Sequence, residues 1–143
     1  MDIQLKWTSD LYFDAHPGKV RTIQLGSSVE DTDKRRATPM ELLLIAVAGC
    51  TAMDVLSILQ KRRQTIDDFE VTASAERTEV HPRVFTHIVI DYLISGKGVD
   101  PQAVERAIEL SKTKYCPAQA MLQPTIEVDH RYAIIETSGN PDP

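Results

Sequence analysis

Ile3, Leu5 and Trp7 alternate with Asp2, Gln4 and Lys6, the period of a strand with one buried face. Leu11, Tyr12 and Phe13 precede a turn-like Asp14-Ala15-His16-Pro17-Gly18, and Val20 to Leu25 alternates again. The start of the chain therefore reads as a meander of two or three strands, followed by a polar loop from Gly26 to Arg36. Thr38-Pro39-Met40-Glu41 then opens a helix. Thr38 suits the cap, Pro39 the first helical position, and Glu41 the reciprocal position three residues later. Lys61, Arg62 and Arg63 mark its expected end near Arg63, where the helix dipole favours positive charge. Between them, Leu42 to Met53 is broken only by Gly49 and Thr51 and leaves almost no polar face. Such a helix is enclosed by a sheet, another helix or a partner subunit. Gly49 costs about 1 kcal/mol relative to alanine, which is tolerable where something packs closely or the helix bends.

The second half alternates in a different rhythm. Phe69, Val71, Ala73 and Ala75 interleave with Glu70, Thr72, Ser74 and Glu76, giving a strand. His81-Pro82-Arg83 is a turn, and Phe85 to Ile94 is rich in β-branched and aromatic residues, so the pair reads as a hairpin ended by Gly96-Lys97-Gly98. Asp100-Pro101 starts a second helix with Val104, Ala107, Ile108 and Leu110-Ser111 on one face. Cys116-Pro117 breaks it, since a residue before proline disfavours helix. Ala118 to Gln123 forms a short further turn, Thr125 to Glu136 one or two closing strands, and Gly139 to Pro143 a frayed tail. Strands, helix, hairpin, helix and strand make an α+β fold.

Composition narrows the class. The chain has 143 residues, which predicts one domain over 1–143. With 42% hydrophobic and 26% charged residues it is neither disordered nor fibrous. Its net charge of −5 argues against nucleic acid or an anionic membrane surface as partner. The N-terminus lacks a basic region followed by an apolar run, so no secretory signal is expected. The apolar run is shorter than the roughly 20 residues a bilayer-crossing helix needs. A cytoplasmic location follows, with thiols kept reduced.

The two cysteines carry the candidate chemistry. Cys50 lies inside the apolar helix; Cys116 stands ahead of Pro117 at the start of a short helical turn, where free amides favour a thiolate. A buried free cysteine is also, by itself, a small inert hydrophobe. The segments TPMELLLIAVAGCTAMDVLSIL (Thr38 to Leu59) and KYCPAQAML (Lys114 to Leu122) resemble the two cysteine segments of the OsmC/Ohr family of osmotically inducible and organic-hydroperoxide-resistance proteins, in its shorter OsmC-like branch. The resemblance implies an intertwined homodimer with the central helices buried between subunits. It implies that a Cys50 thiolate attacks the peroxide O–O bond and that Cys116 condenses with the resulting sulfenic acid to a disulfide. A small dithiol or a lipoyl-bearing protein then restores both thiols. No metal, flavin or haem is implied.

The chain departs from that pattern at two supporting residues. Met40 stands where the peroxidase members carry a Glu, and Glu41, one position on, falls on the opposite side of the helix from Cys50 and reads as a capping residue. The early loop Asp10 to Lys19 holds no Arg; Arg21, Arg35 and Arg36 are the nearest substitutes. Asp54, one turn after Cys50, either accepts the thiol proton, raises the thiol pKa by repulsion, or is a buried acid bonded elsewhere. His16, His81, His87 and His130 show no metal-ligand spacing, and no CxxC or HxxxH pair supports a zinc site. Tyr12, Tyr92, Tyr115 and Tyr132 read as core or edge residues. The expected function is a thiol-dependent peroxidase acting on organic hydroperoxides. The rivals are a redox-responsive relative with little turnover, and a binding module whose cysteines only pack.

Overall fold

The computed structural model describes residues 1–19, 21–27 and 36–138. Val20, most of the expected loop (with Arg35), and the Gly139 to Pro143 tail lie outside the described residues. The chain divides into two compact units, Met1–Leu43 and Leu44–Pro143.

The first unit is the expected meander. Strands β1 (Gln4–Ser9), β2 (Tyr12–His16) and β3 (Ile23–Gly26) pair antiparallel in sequence order. The alternation at Ile3, Leu5 and Trp7 does mark a strand, but its apolar side is exposed rather than half-buried. Alternation shows that a strand has an apolar face, not that the same chain covers it. Arg36 lays its guanidinium 4.2 Å from the centre of the Tyr12 ring.

Helix α1 (Pro39–Lys61) begins as the capping pattern requires. The Thr38 amide donates to Glu41 Oε2 at 2.7 Å, and the Glu41 amide donates back to Thr38 Oγ1 at 3.3 Å. The Thr38 amide foremost, and the Thr38 hydroxyl donating to the same oxygen at 2.9 Å, hold the Glu41 carboxyl below its ordinary pKa, and the reciprocal bonds account for the residue as a cap. The helix stops two residues before the expected Arg63, because Arg63 takes a left-handed backbone with φ 57°. The Gln64 amide then reaches back to the Leu59 carbonyl at 3.0 Å, a left-handed C-terminal cap.

Two expectations about α1 change. Its 23 residues are long and apolar enough, by length and composition, to cross a membrane, so the shorter apolar run understated the element. Core helices pass the same test, and Val47, Thr51, Val55 and Leu59 form a fully buried stripe at four-residue spacing. The described residues do not fully enclose the rest of the helix: Ile45 and Met53 are 58% and 75% exposed. Among the described residues, nothing lies within 4 Å of where a Gly49 side chain would begin.

The second unit holds the core. Strands β4 (Thr65–Arg77) and β5 (Phe85–Lys97) are the expected hairpin, paired from Thr65 opposite Lys97 to Arg77 opposite Phe85, with the register shifting between Ile66 and Asp68 and between Glu76 and Arg77. Strand β6 (Glu127–Glu136) pairs parallel to β5, so the chain must cross between them, and it does so through helices. Ile88, Ile90, Tyr92 and Ile94 project from one face of the central strand and are buried. Helix α2 (Pro101–Leu110) is capped by Asp100, which accepts from the Gln102 amide, and buries Ala103, Val104, Ala107 and Ile108. A π turn, Ser111–Tyr115, follows, and α3 (Pro117–Leu122) completes the crossover.

Candidate active site

The π turn decides where Cys116 goes. Its wide ring is closed by the Cys116 amide donating to the Ser111 carbonyl at 2.9 Å, a five-residue span. Pro117 keeps Cys116 out of helical conformation, and its backbone is extended at φ −80°, ψ 101°. Ser111 and Cys116, both buried, are thereby brought onto α1. Ser111 Oγ donates to Asp54 Oδ2 at 3.0 Å. The sulfurs of Cys50 and Cys116 and a carboxylate oxygen of Asp54 all lie within 4.8 Å of one another. Two thiols 66 positions apart in the chain thus meet beside one carboxylate, and both are free.

Cys116 differs electrostatically from its sequence reading. It does cap α3, and the Gln119 amide donates to its sulfur at 3.3 Å, which favours the thiolate. Burial outweighs that bond, the Cys50 thiol and the Asp54 charge add to the effect, and the Cys116 thiol is pushed up to about 11. Cys116 is therefore a protonated thiol at neutral pH.

Behind the sulfurs runs a polar chain that sequence reasoning missed. The Tyr92 hydroxyl meets His130 Nδ1 at 3.1 Å, and His130 Nε2 meets Gln119 Oε1 at 3.1 Å. Tyr92 and His130 also stack, 5.9 Å between centres and 13° apart. Burial is the main reason Tyr92 is pushed up to about 12 and His130 down to about 4. Tyr92 thus keeps its proton and donates to a neutral imidazole, which donates in turn to Gln119. Gln119 is fully buried, and its Nε2 has no hydrogen-bond partner among the described residues. The Thr51 hydroxyl donates to the Val47 and Ala48 carbonyls at 3.1 and 3.0 Å, and its influence on the Tyr92 phenol opposes that of burial without outweighing it. Tyr92 is the core residue expected; its polar end is the part that sequence does not show. The available signal was Thr51 and Ser111 at buried positions of apolar helix faces, where each hydroxyl needs a partner.

His130 makes stability depend on pH. The unfolded chain takes up this proton near pH 6.5, whereas the folded one waits until about pH 4. The stabilisation is intact above pH 6.5 and drains away as pH falls towards 4. At about 1.4 kcal/mol per pKa unit, reduced for partial solvent access, the expected loss is about 2 kcal/mol. Urea midpoints at pH 7.5 and 4.5 measure it. His130→Asn should flatten that part of the profile, and an unchanged profile would assign the acid sensitivity elsewhere.

Of the remaining candidates, Arg21 is exposed, Arg36 is occupied at Tyr12, and Arg35 is outside the described residues. A cavity of about 330 Å³ opens beside Asp54, walled by Ile58, Leu110 and Tyr115, with Lys61 and Arg62 also lining it.

Comparison with known proteins bears on the family and the fold. A family model described as OsmC-like protein matches residues 16–131, a stretch that holds both cysteines. Protein YhfA of Escherichia coli K12 is 37% identical over 135 residues, covering 94% of this chain and 98% of that protein. The crystal structure of a hypothetical protein from Aquifex aeolicus VF5 matches with a TM-score of 0.85 at 28% identity, over 96% of this chain and 97% of that one. The organic hydroperoxide resistance protein OhrB of Bacillus subtilis shares the fold, with a TM-score of 0.62 at 12% identity over 92% of this chain and 96% of that one. On the family match and the identity to YhfA, the chain belongs to the OsmC-like family.

Proposed function

We propose that this protein is a cytoplasmic thiol-dependent peroxidase that reduces organic hydroperoxides in defence against oxidative stress, with Cys50 and Cys116 as its catalytic residues. The observation that carries the reading is the pair of free sulfurs within 4.8 Å of each other and of Asp54. Cys116, near 11, holds its proton, which leaves Cys50, the less buried of the two thiols, as the attacking sulfur. The Cys50 thiolate attacks the O–O bond of ROOH, becomes the sulfenic acid, and releases the alcohol ROH once the alkoxide takes up a proton. The Cys116 thiol condenses with the sulfenic acid, forming the disulfide and releasing water. A small dithiol or a lipoyl-bearing protein exchanges with the disulfide, restoring both thiols and leaving as its own disulfide. The apolar wall of the cavity beside Asp54 favours a substrate with a hydrocarbon tail over hydrogen peroxide.

The same reading makes the chain one functional domain, since the family match spans both compact units, and a homodimer, since the outer faces of α1 and β1 need cover. A partner subunit on Ile45 and Met53 buries what one chain leaves in water.

The test is steady-state consumption of tert-butyl hydroperoxide with dihydrolipoamide as reductant. Turnover through a Cys50–Cys116 disulfide is the expected result. A second reading is favoured by Glu41 and Arg36, which are held by the Thr38 cap and the Tyr12 ring: a redox-responsive protein with little turnover. It predicts one oxidation per chain and a negligible steady rate.

A further inference from the structure

We propose that the reduced site is also a metal site, in which Cys50, Asp54 and Cys116 bind one Zn²⁺ and water fills the fourth position. On binding, Zn²⁺ replaces the thiol protons, which leave to solvent; two thiolates and a carboxylate are ordinary zinc donors, and three protein ligands with an open position are an ordinary zinc arrangement. With Zn–S near 2.3 Å and Zn–O near 2.1 Å, tetrahedral ligands stand roughly 3.5–3.8 Å apart. The three donor atoms already lie within 4.8 Å of one another, so closure onto an ion takes side-chain movement of about 1 Å.

The scaffold is suited to hold them. Cys50 and Asp54 are four residues apart on α1 and present their side chains from one helical face. Cys116 is fixed by the π turn and Pro117. Each of two ligands has an outer hydrogen bond that orients it: Ser111 Oγ on the Asp54 carboxylate at 3.0 Å, and the Gln119 amide on the Cys116 sulfur at 3.3 Å. Asp54 lines the open cavity, which gives an ion a way in. The donor set also selects among metals. Two thiolates disfavour Mg²⁺ and Ca²⁺, and the carboxylate disfavours Cu⁺, which leaves Zn²⁺ as the best match among abundant ions. The ligands come from distant parts of the chain, so no short spacing motif announces them. The proposal needs only the positions of three side chains and stands whether or not peroxide is turned over.

The test uses the full chain, reduced and freed of metal, titrated anaerobically with Co²⁺ as the probe. One equivalent should produce a thiolate-to-cobalt charge-transfer band and tetrahedral visible bands, and Zn²⁺ should displace them. Cys50→Ser and Cys116→Ser should abolish the charge-transfer band's two-thiolate intensity. Asp54→Asn should weaken binding by more than about tenfold. Cys50→Ala, at a half-buried helix position, gives a second variant that keeps the fold, and Zn²⁺ should raise the melting temperature of the unaltered protein but not of this one. Absence of the band, or cobalt binding equal in the unaltered protein and the cysteine variants, overturns the proposal.

Discussion

Cys116→Ser should consume one equivalent of an organic hydroperoxide per chain and then stop, whereas Cys50→Ser should consume none. Cys116 is 3% exposed and its thiol sits near 11, so it presents almost no thiolate at pH 7. Its proposed task is to meet a sulfenic acid already formed on its neighbour. Removing it leaves the first step intact and strands Cys50 as the sulfenic acid, detectable as a mass gain of one oxygen and by reaction with a sulfenate-selective probe. Removing Cys50 removes the nucleophile, and the rate should fall by more than about a thousandfold, to the background of peroxide and reductant alone. Serine suits this comparison at position 116 because it keeps an acceptor for the Gln119 amide at the cap of α3, a position that serine fills well. Stoichiometric peroxide loss in single-turnover mixing measures both variants. The reverse pattern, with Cys50→Ser reacting once and Cys116→Ser inert, would exchange the two roles.

Much of the fold was legible because local chemistry and long-range packing agree. The Thr38–Glu41 box, the Asp100 cap and the Cys116-Pro117 break are short-range signals, and each sits where the residues predict. The hairpin from Thr65 to Lys97 follows from alternation and β-branched content. The parallel pairing of β6 with β5 does not, because pairing partners are set by the crossover helices between them and not by the strand's own residues. The exposed apolar sides of α1 and β1 show the complementary limit: periodicity marks which face is apolar and is silent on what covers it.

The site divides in the same way. The family resemblance of their segments points to Cys50 and Cys116, and helical spacing puts Asp54 one turn from Cys50; the structure brings all three together. The sequence placed a lowered thiol pKa at Cys116 from its helix N-terminus; six residues of helix and one amide bond do not offset burial of the sulfur. Tyr92, Gln119 and His130 were invisible as a group because they meet only when β5, α3 and β6 are assembled. The hydrogen-bond partners of His130 in particular lie 38 and 11 residues away.

Gly96→Ala should be strongly damaging although it lies outside the site, lowering stability by about 3 kcal/mol or more. Gly96 lies on the central strand, opposite Ile66 on one side and Glu136 on the other, and its carbonyl accepts from the Thr137 amide at 2.9 Å. A methyl group there would stand 2.0 Å from the Thr65 carbonyl oxygen and 2.7 Å from Val99 Cγ2. Val99 can turn aside, but Thr65 presents backbone, so relief requires β4 to move off β5 where the ladder begins. Gly98→Ala is the control two residues on. Its φ of 59° makes alanine cost about 1 kcal/mol through the left-handed backbone, yet nothing lies within 4 Å of the added carbon among the described residues. Chemical denaturation of the two variants should therefore separate a steric penalty from a conformational one. If Gly96→Ala were no worse than Gly98→Ala, the close approach of Thr65 to the central strand would not be what makes glycine necessary at that position.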